Sequence, residues 1–247
     1  MASHAGVVRE LMTRPQPVTL PMIALAAIIP LYLVIGAAVV PGRTLHVPEV
    51  ALDRAMALSP AWSFVYLSLF LAALLPVFVI HQQELVRRTI LGFIAIWLIA
   101  YVCFIAYPTI GPRPATVVGD GFSEWTLRAI YSSDHRYNCL PSLHVAQCFL
   151  AAFACHLVNR RVGLAAMVWA FLVGLSTVYT KQHYVMDVVT GILLAMVGFF
   201  VALRGYPSEA TPERERRYAP LLAACAVGVY GVLMLLLLTF YLMGVQP

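Results

Sequence analysis

Apolar residues run along this chain in long unbroken blocks, neither alternating as in a half-buried strand nor confined to one stripe as in a surface helix. Seven blocks stand out, at about 19–40, 61–80, 89–107, 143–158, 162–180, 184–204 and 219–243. About 20 apolar residues suffice for a helix to cross a bilayer, and the fourth block is short of that. A lone strand in lipid would leave its backbone N–H and C=O groups unpaired, so every block predicts a helix. The long connection 108–141 separates the third block from the fourth. Inside it, "FSEWTLRAIY" reads as a short amphipathic helix lying in the membrane interface with aromatic anchors. The pattern predicts an all-α polytopic membrane protein, one domain over 1–247 with no internal repeat.

Composition excludes the soluble classes. Hydrophobic residues make up 62% of the chain and charged residues only 11%, where soluble domains carry about 25% charge. The first block exceeds the roughly 7–15 residues of a signal-peptide core, so it reads as a retained helix. The five cysteines (Cys103, Cys139, Cys148, Cys155 and Cys225) show no metal or redox spacing and read as small apolar residues. Only Cys103 and Cys139, near one membrane face, could form a bridge.

A net charge of +5 could suggest nucleic acid, but the arginines flank apolar blocks instead of forming a patch. Arg9 and Arg14 precede the first block, Arg87 and Arg88 follow the second, and Arg160 and Arg161 follow the fourth. Arg204, Arg214, Arg216 and Arg217 fill the sixth connection. Alternating spans put these ten of the 16 cations on one side, which the positive-inside rule makes cytoplasmic. The N-terminus is then cytoplasmic. The loop 108–141 and the turn Thr180–His183 share the non-cytoplasmic face.

Three polar groups mark that face: "YPTIGPRP" with Arg113, "LPSLH" with Ser142 and His144, and "STVYTKQHYVMD" with Ser176, Thr177, Lys181, His183 and Asp187. His183 and Asp187 are spaced i, i+4 and share one helix face. Asp187 is the one acidic residue inside a predicted span, and a carboxylate there costs about 2.5–3.5 kcal/mol at the bilayer centre, so it needs a partner. Bonded to one ring nitrogen of His183, it leaves the other basic and aimed outward. Taken singly, each residue has a bland reading: a structural His–Asp pair, an interfacial histidine, a loop arginine, a snorkelling lysine. Their convergence on one face favours a metal-free phosphoryl-transfer site. Arg113 and Lys181 would neutralise phosphate oxygens, and Ser142 with the backbone N–H groups opening the fourth helix would complete the cradle. His183 would attack phosphorus and His144 would protonate the leaving group.

These motifs resemble the type 2 phosphatidic acid phosphatase (PAP2) superfamily, whose pattern is K-x6-RP, PSGH and SR-x5-H-x3-D. Here the second motif stands as "PSLH" and the third as Ser176-Thr177-x5-His183-x3-Asp187, a likeness spanning about 107–191. The resemblance implies a six-helix core with one additional C-terminal helix (219–243) and a catalytic region at about 61–204. It also implies His183 as nucleophile, His144 as acid–base, Asp187 as orienter, and Arg113 and Ser142 as phosphate ligands. Three departures stand out. The first motif's lysine position is Ala106, the third motif's arginine is Thr177, and the glycine of PSGH is Leu143, which narrows the space beside the phosphate. Two cations are missing, and Lys181 is placed to compensate for one. The wording "LPSLHVA" and "TKQHYVMDVVTG" looks closest to inositol phosphorylceramide synthases, which pass a headgroup phosphate to an alcohol.

The expected activity is therefore a lipid phosphate phosphatase or phosphotransferase. It would need no cofactor. Its partners would be a membrane lipid and, in the transferase case, a small alcohol or lipid acceptor. Rival readings are a His–Asp proton relay in a transporter, a zinc site at His144, His183 and Asp187, and an inactive lipid-binding relative.

Overall fold

The computed structural model describes residues 4–13, 17–39 and 43–247. Arg14, counted among the flanking cations, and Val40, at the end of the first apolar block, lie outside the described residues. Among those residues the chain is helical, with isolated bridges His46–Thr109 and Ile110–Tyr137 and no strand. An amphipathic helix α1 (His4–Thr13) precedes the first span, which comes as two pieces, α2 (Leu20–Ile28) and α3 (Leu31–Val39). The break falls at Pro30, whose ring cannot supply the N–H a continuous helix requires. After the short α4 (Ala51–Ala55), the second span is assembled from tight 3-10 turns and two helices, α5 (Ser63–Leu67) and α6 (Leu71–Val79).

The remaining spans are α7 (Gln83–Ala106), α9 (Leu143–Val158), α10 (Arg160–Tyr179), α11 (Val185–Gly198, continued to Leu203 by one wide turn) and α12 (Glu213–Leu242). The interfacial helix is α8 (Phe122–Ser133). Among the described residues six spans are long and apolar enough to cross a membrane, and the seventh, α9, is the short one. The protein is thus an all-α polytopic membrane protein. The cysteines are all free, and Cys139, Cys148 and Cys155 are buried as small packing residues.

Helix α9 is the axis of the bundle. It packs against α6, α7, α10 and α11, and its Ala146, Cys148, Ala151, Ala152, Ala154 and Cys155 have no exposed surface. Short side chains there let four neighbours approach one helix, which is how spans associate when lipid competes for every apolar face. The first span and α12 stand further out, with 6% and 11% of their apolar windows buried.

The approach of α11 to α9 is closest at Gly191. A Cβ there would meet the Ser142 carbonyl at 2.6 Å and the Val145 Cβ at 3.1 Å. One turn earlier on α11, the Asp187 carbonyl accepts the Ser142 N–H at 3.0 Å, tying the start of one helix to the start of the other. This crossing brings the second and third sequence motifs together. Gly191→Val is expected to lower stability by about 1–3 kcal/mol through overpacking. Gly228→Ala, on α12 with open space around it, is the control and should be silent. Thermal unfolding of both variants in detergent is the check.

Candidate active site

The third motif begins where α10 ends. Thr177 offers its carbonyl to two N–H groups, Gln182 at 2.9 Å and His183 at 3.1 Å, while Lys181 N–H bonds the Val178 carbonyl. Lys181 closes this turn in the left-handed region, at φ 54°, a place more often taken by glycine. The Thr177 hydroxyl is spent inside α10, on the Gly174 carbonyl at 2.7 Å. Thr177 therefore positions the following histidine through its backbone.

Asp187 sits in the first turn of α11, fully buried. One of its oxygens, Oδ2, accepts the Tyr184 N–H at 2.9 Å and the His183 Nδ1 at 3.2 Å. The far nitrogen of His183, Nε2, lies 2.9 Å from His144 Nδ1, and His144 Nε2 lies 3.3 Å from the Tyr66 hydroxyl. An ionised carboxylate only accepts, so the proton on His183 belongs to Nδ1. With neutral rings, His144 Nδ1–H then donates to His183 Nε2, and the Tyr66 O–H donates to His144 Nε2. The relay Tyr66–His144–His183–Asp187 has one consistent sense throughout. The i, i+4 spacing predicts a second His183 nitrogen aimed outward; in the structure that nitrogen, Nε2, meets His144.

Ser142 caps α9: its Oγ accepts the Val145 N–H at 3.4 Å, which leaves its own O–H available as a donor. Leu143 follows it, buried. The segment before the cap is held by Thr109, whose Oγ1 accepts the N–H groups of Cys139 (3.0 Å) and Leu140 (3.2 Å). Gly111 is pressed against the Gln182 carbonyl, where a Cβ would come within 2.9 Å.

Arg113 is clamped by the far end of α8. Nη1 donates to the Tyr131 and Asp134 carbonyls (3.3 and 2.7 Å), and Nη2 donates to the His135 carbonyl (3.0 Å) and to Gln182 Oε1. An ion pair with Asp134 at 3.5 Å and the Tyr131 ring 5.0 Å from the guanidinium carbon complete its surroundings. Burial raises the Asp134 carboxyl above the usual range, while Arg113 and then His183 pull it back down. That places the ion pair within electrostatic reach of His183.

Lys181 is not gathered with this group. Its ammonium donates to the backbone carbonyls of Asp53 and Met56, and Asp53 in turn accepts the Val185 N–H at 2.8 Å, capping α11. The segment around α4 is thus strapped across the start of α11. Lys181 was expected to hold phosphate; two carbonyls hold it instead. Tyr66, Gln182, Asp134, Thr109 and Asp53 escaped sequence reasoning, since each is an ordinary residue whose partner is distant in the chain.

Among the described residues, the group with metal-ligand spacing differs from the one in the rival zinc reading. Cys139, His183 and Asp187 bring ligand atoms within 4.8 Å of one another, with cysteine in the place given to His144. Burial pushes the Cys139 thiol up.

Fold and site together describe a helical membrane protein with a buried aspartate–histidine pair and a second histidine at the mouth of one helix. The PAP2 superfamily model matches residues 44–201, and the chain belongs to that superfamily. No curated protein and no solved structure matches it.

Thr109→Val keeps the shape of the side chain and strands the buried Cys139 N–H and the part-buried Leu140 N–H. The expected loss is on the order of 2 kcal/mol of stability, read by thermal unfolding in detergent.

Proposed function

We propose that this protein is a lipid phosphate phosphatase or phosphotransferase that works through a phosphohistidine on His183. The observation that carries the reading is the relay Asp187–His183–His144, in which a carboxylate orients one imidazole and that imidazole meets a second. Membership of the PAP2 superfamily supports phosphate chemistry in general.

In the first step the lone pair of His183 Nε2 attacks phosphorus and the bond to the leaving alkoxide breaks. Asp187 stabilises the imidazolium that results. His144, carrying a second proton, gives one to the alkoxide. The Tyr66 oxygen can donate to neutral His144 or accept from its protonated form, so the ring keeps a partner in both states. Water or an alcohol then attacks the phosphohistidine, with His144 as base. Ser142, Arg113 and the N–H groups opening α9 hold the nonbridging oxygens.

Reacting atoms need about 3–3.5 Å of approach, so the 2.9 Å contact between the imidazoles has no room for phosphorus. Substrate entry parts the two rings. A cavity of about 320 Å³ between α2, α6 and α7, reaching Gln147 one turn below His144, is lined by apolar side chains and suits an acyl chain.

A second reading, headgroup transfer between phosphodiesters, is favoured by the charge of the site. Arg113 is neutralised by Asp134, and Lys181 is engaged elsewhere. A monoanionic diester suits such a site better than a dianionic monoester. We place the site on the non-cytoplasmic face. Arg87, Arg88, Arg160, Arg161 and Arg204 all lie at the opposite end of the bundle, which supports this orientation.

His183→Ala and Asp187→Asn are each expected to reduce turnover by about 10³-fold or more with folding intact. The assay is release of phosphate or headgroup from a panel of lipid phosphates and phosphodiesters in EDTA, with and without inositol, glycerol or diacylglycerol. Phosphate released without added alcohol identifies a phosphatase; a new diester formed only with alcohol identifies a transferase. Wild-type turnover by His183→Ala would rule out the phosphohistidine. His144→Ala should cost far more with an alkyl than with an aryl leaving group, because only the poor leaving group needs the proton.

A further inference from the structure

Two donors beside the histidine pair are buried and have nothing to donate to: Arg113 Nε and Gln182 Nε2. Both belong to side chains that are otherwise fixed. The Arg113 side chain is 8% exposed and Gln182 is 3% exposed, and the two are joined by the bond from Arg113 Nη2 to Gln182 Oε1. That bond settles the sense of the amide. A guanidinium only donates, so the amide oxygen must face it and the NH2 must face away. Gln182 is the residue immediately before His183, and its N–H is held to Thr177 beside that of the histidine. Leaving one buried donor unmade is costly, and most buried donors in proteins find a partner. Two such donors on side chains joined to each other, one of them a cation, suit an oxyanion.

We infer that Gln182 Nε2 and Arg113 Nε together bind a nonbridging oxygen of the phosphate. This inference rests on the reading of the site as a phosphoryl-transfer centre, and it names a ligand that the motif pattern does not contain. Gln182 supplies a donor where the third motif's arginine is replaced by Thr177, whose hydroxyl is used within its own helix. Lys181, the other candidate for that task, is held by the carbonyls of Asp53 and Met56. Beside Ser142 and the N–H groups opening α9, the phosphate is therefore held by one cation and one neutral amide, joined to each other.

The test uses the full chain purified in detergent and orthovanadate as the phosphate-like probe. Its dissociation constant is read by thermal shift for wild type, Gln182→Glu and Gln182→Met. Gln182→Glu keeps an acceptor for Arg113 Nη2 but turns the NH2 into a repelling oxygen, and should weaken vanadate by about 100-fold. Gln182→Met has similar length and no donor, and should weaken it by about tenfold; it decides alone if the glutamate variant does not fold. A residue that only packs would lower the melting temperature and leave the affinity unchanged. Wild type that binds vanadate, with both variants within threefold of it, overturns the cradle alone. Wild type that binds no vanadate overturns the cradle and the phosphate reading together.

Discussion

The whole arrangement depends on one carboxylate buried in an apolar bundle. Asp187 has no exposed surface, and a charge in such a place must be compensated by donors held close. Two converge on a single oxygen, the Tyr184 N–H and the His183 ring, and the N-terminus of α11 adds the favourable end of its dipole. The same residue therefore starts a helix, fixes a tautomer and sets the direction of a lone pair. Its backbone carbonyl holds the first N–H of the neighbouring motif. One carboxylate thus serves the start of a helix and the orientation of an imidazole together.

Around that pair the site is assembled from distant segments. The crossing at Gly191 sets the distance between the two histidine-bearing helices. The segment near α4 caps α11 through Asp53 and fastens Lys181. Helix α8 delivers Tyr131 and Asp134 to Arg113, and the end of α12 braces α8. Trp125 Nε1 donates to the Val245 carbonyl at 2.7 Å, and the Tyr241 hydroxyl donates to the Asp120 carbonyl at 2.9 Å. The last span, which the motif pattern leaves without a task, is thereby linked through α8 to the cation of the site.

What could be read from the sequence follows the range of the interactions involved. The spans are legible because burial in lipid demands long apolar blocks, and the His183–Asp187 pair is legible because i, i+4 is one turn of helix. The break at Pro30 had a local signal too, though the block reads as continuous by hydropathy alone. The contacts Tyr66–His144 and Asp53–Val185 join residues 78 and 132 positions apart, and no periodicity announces them. Lys181 shows the same limit from the other side. Its charge and position suggested a phosphate ligand, but the left-handed turn it occupies and two backbone carbonyls direct its ammonium elsewhere. Gln182 carries no charge and stands at a position its motif leaves open, so only its bond to Arg113 draws notice.

The contact between the two imidazoles has a further consequence. A free, oriented histidine nitrogen is open to any small electrophile that reaches it. Here the proton of His144 covers that nitrogen until something parts the rings. The molecule at rest is thus shielded from adventitious alkylation or acylation at the nitrogen proposed as its nucleophile. In the proposed mechanism, reactivity appears only with a ligand that repays the broken hydrogen bond, so selectivity begins before any bond to phosphorus is made.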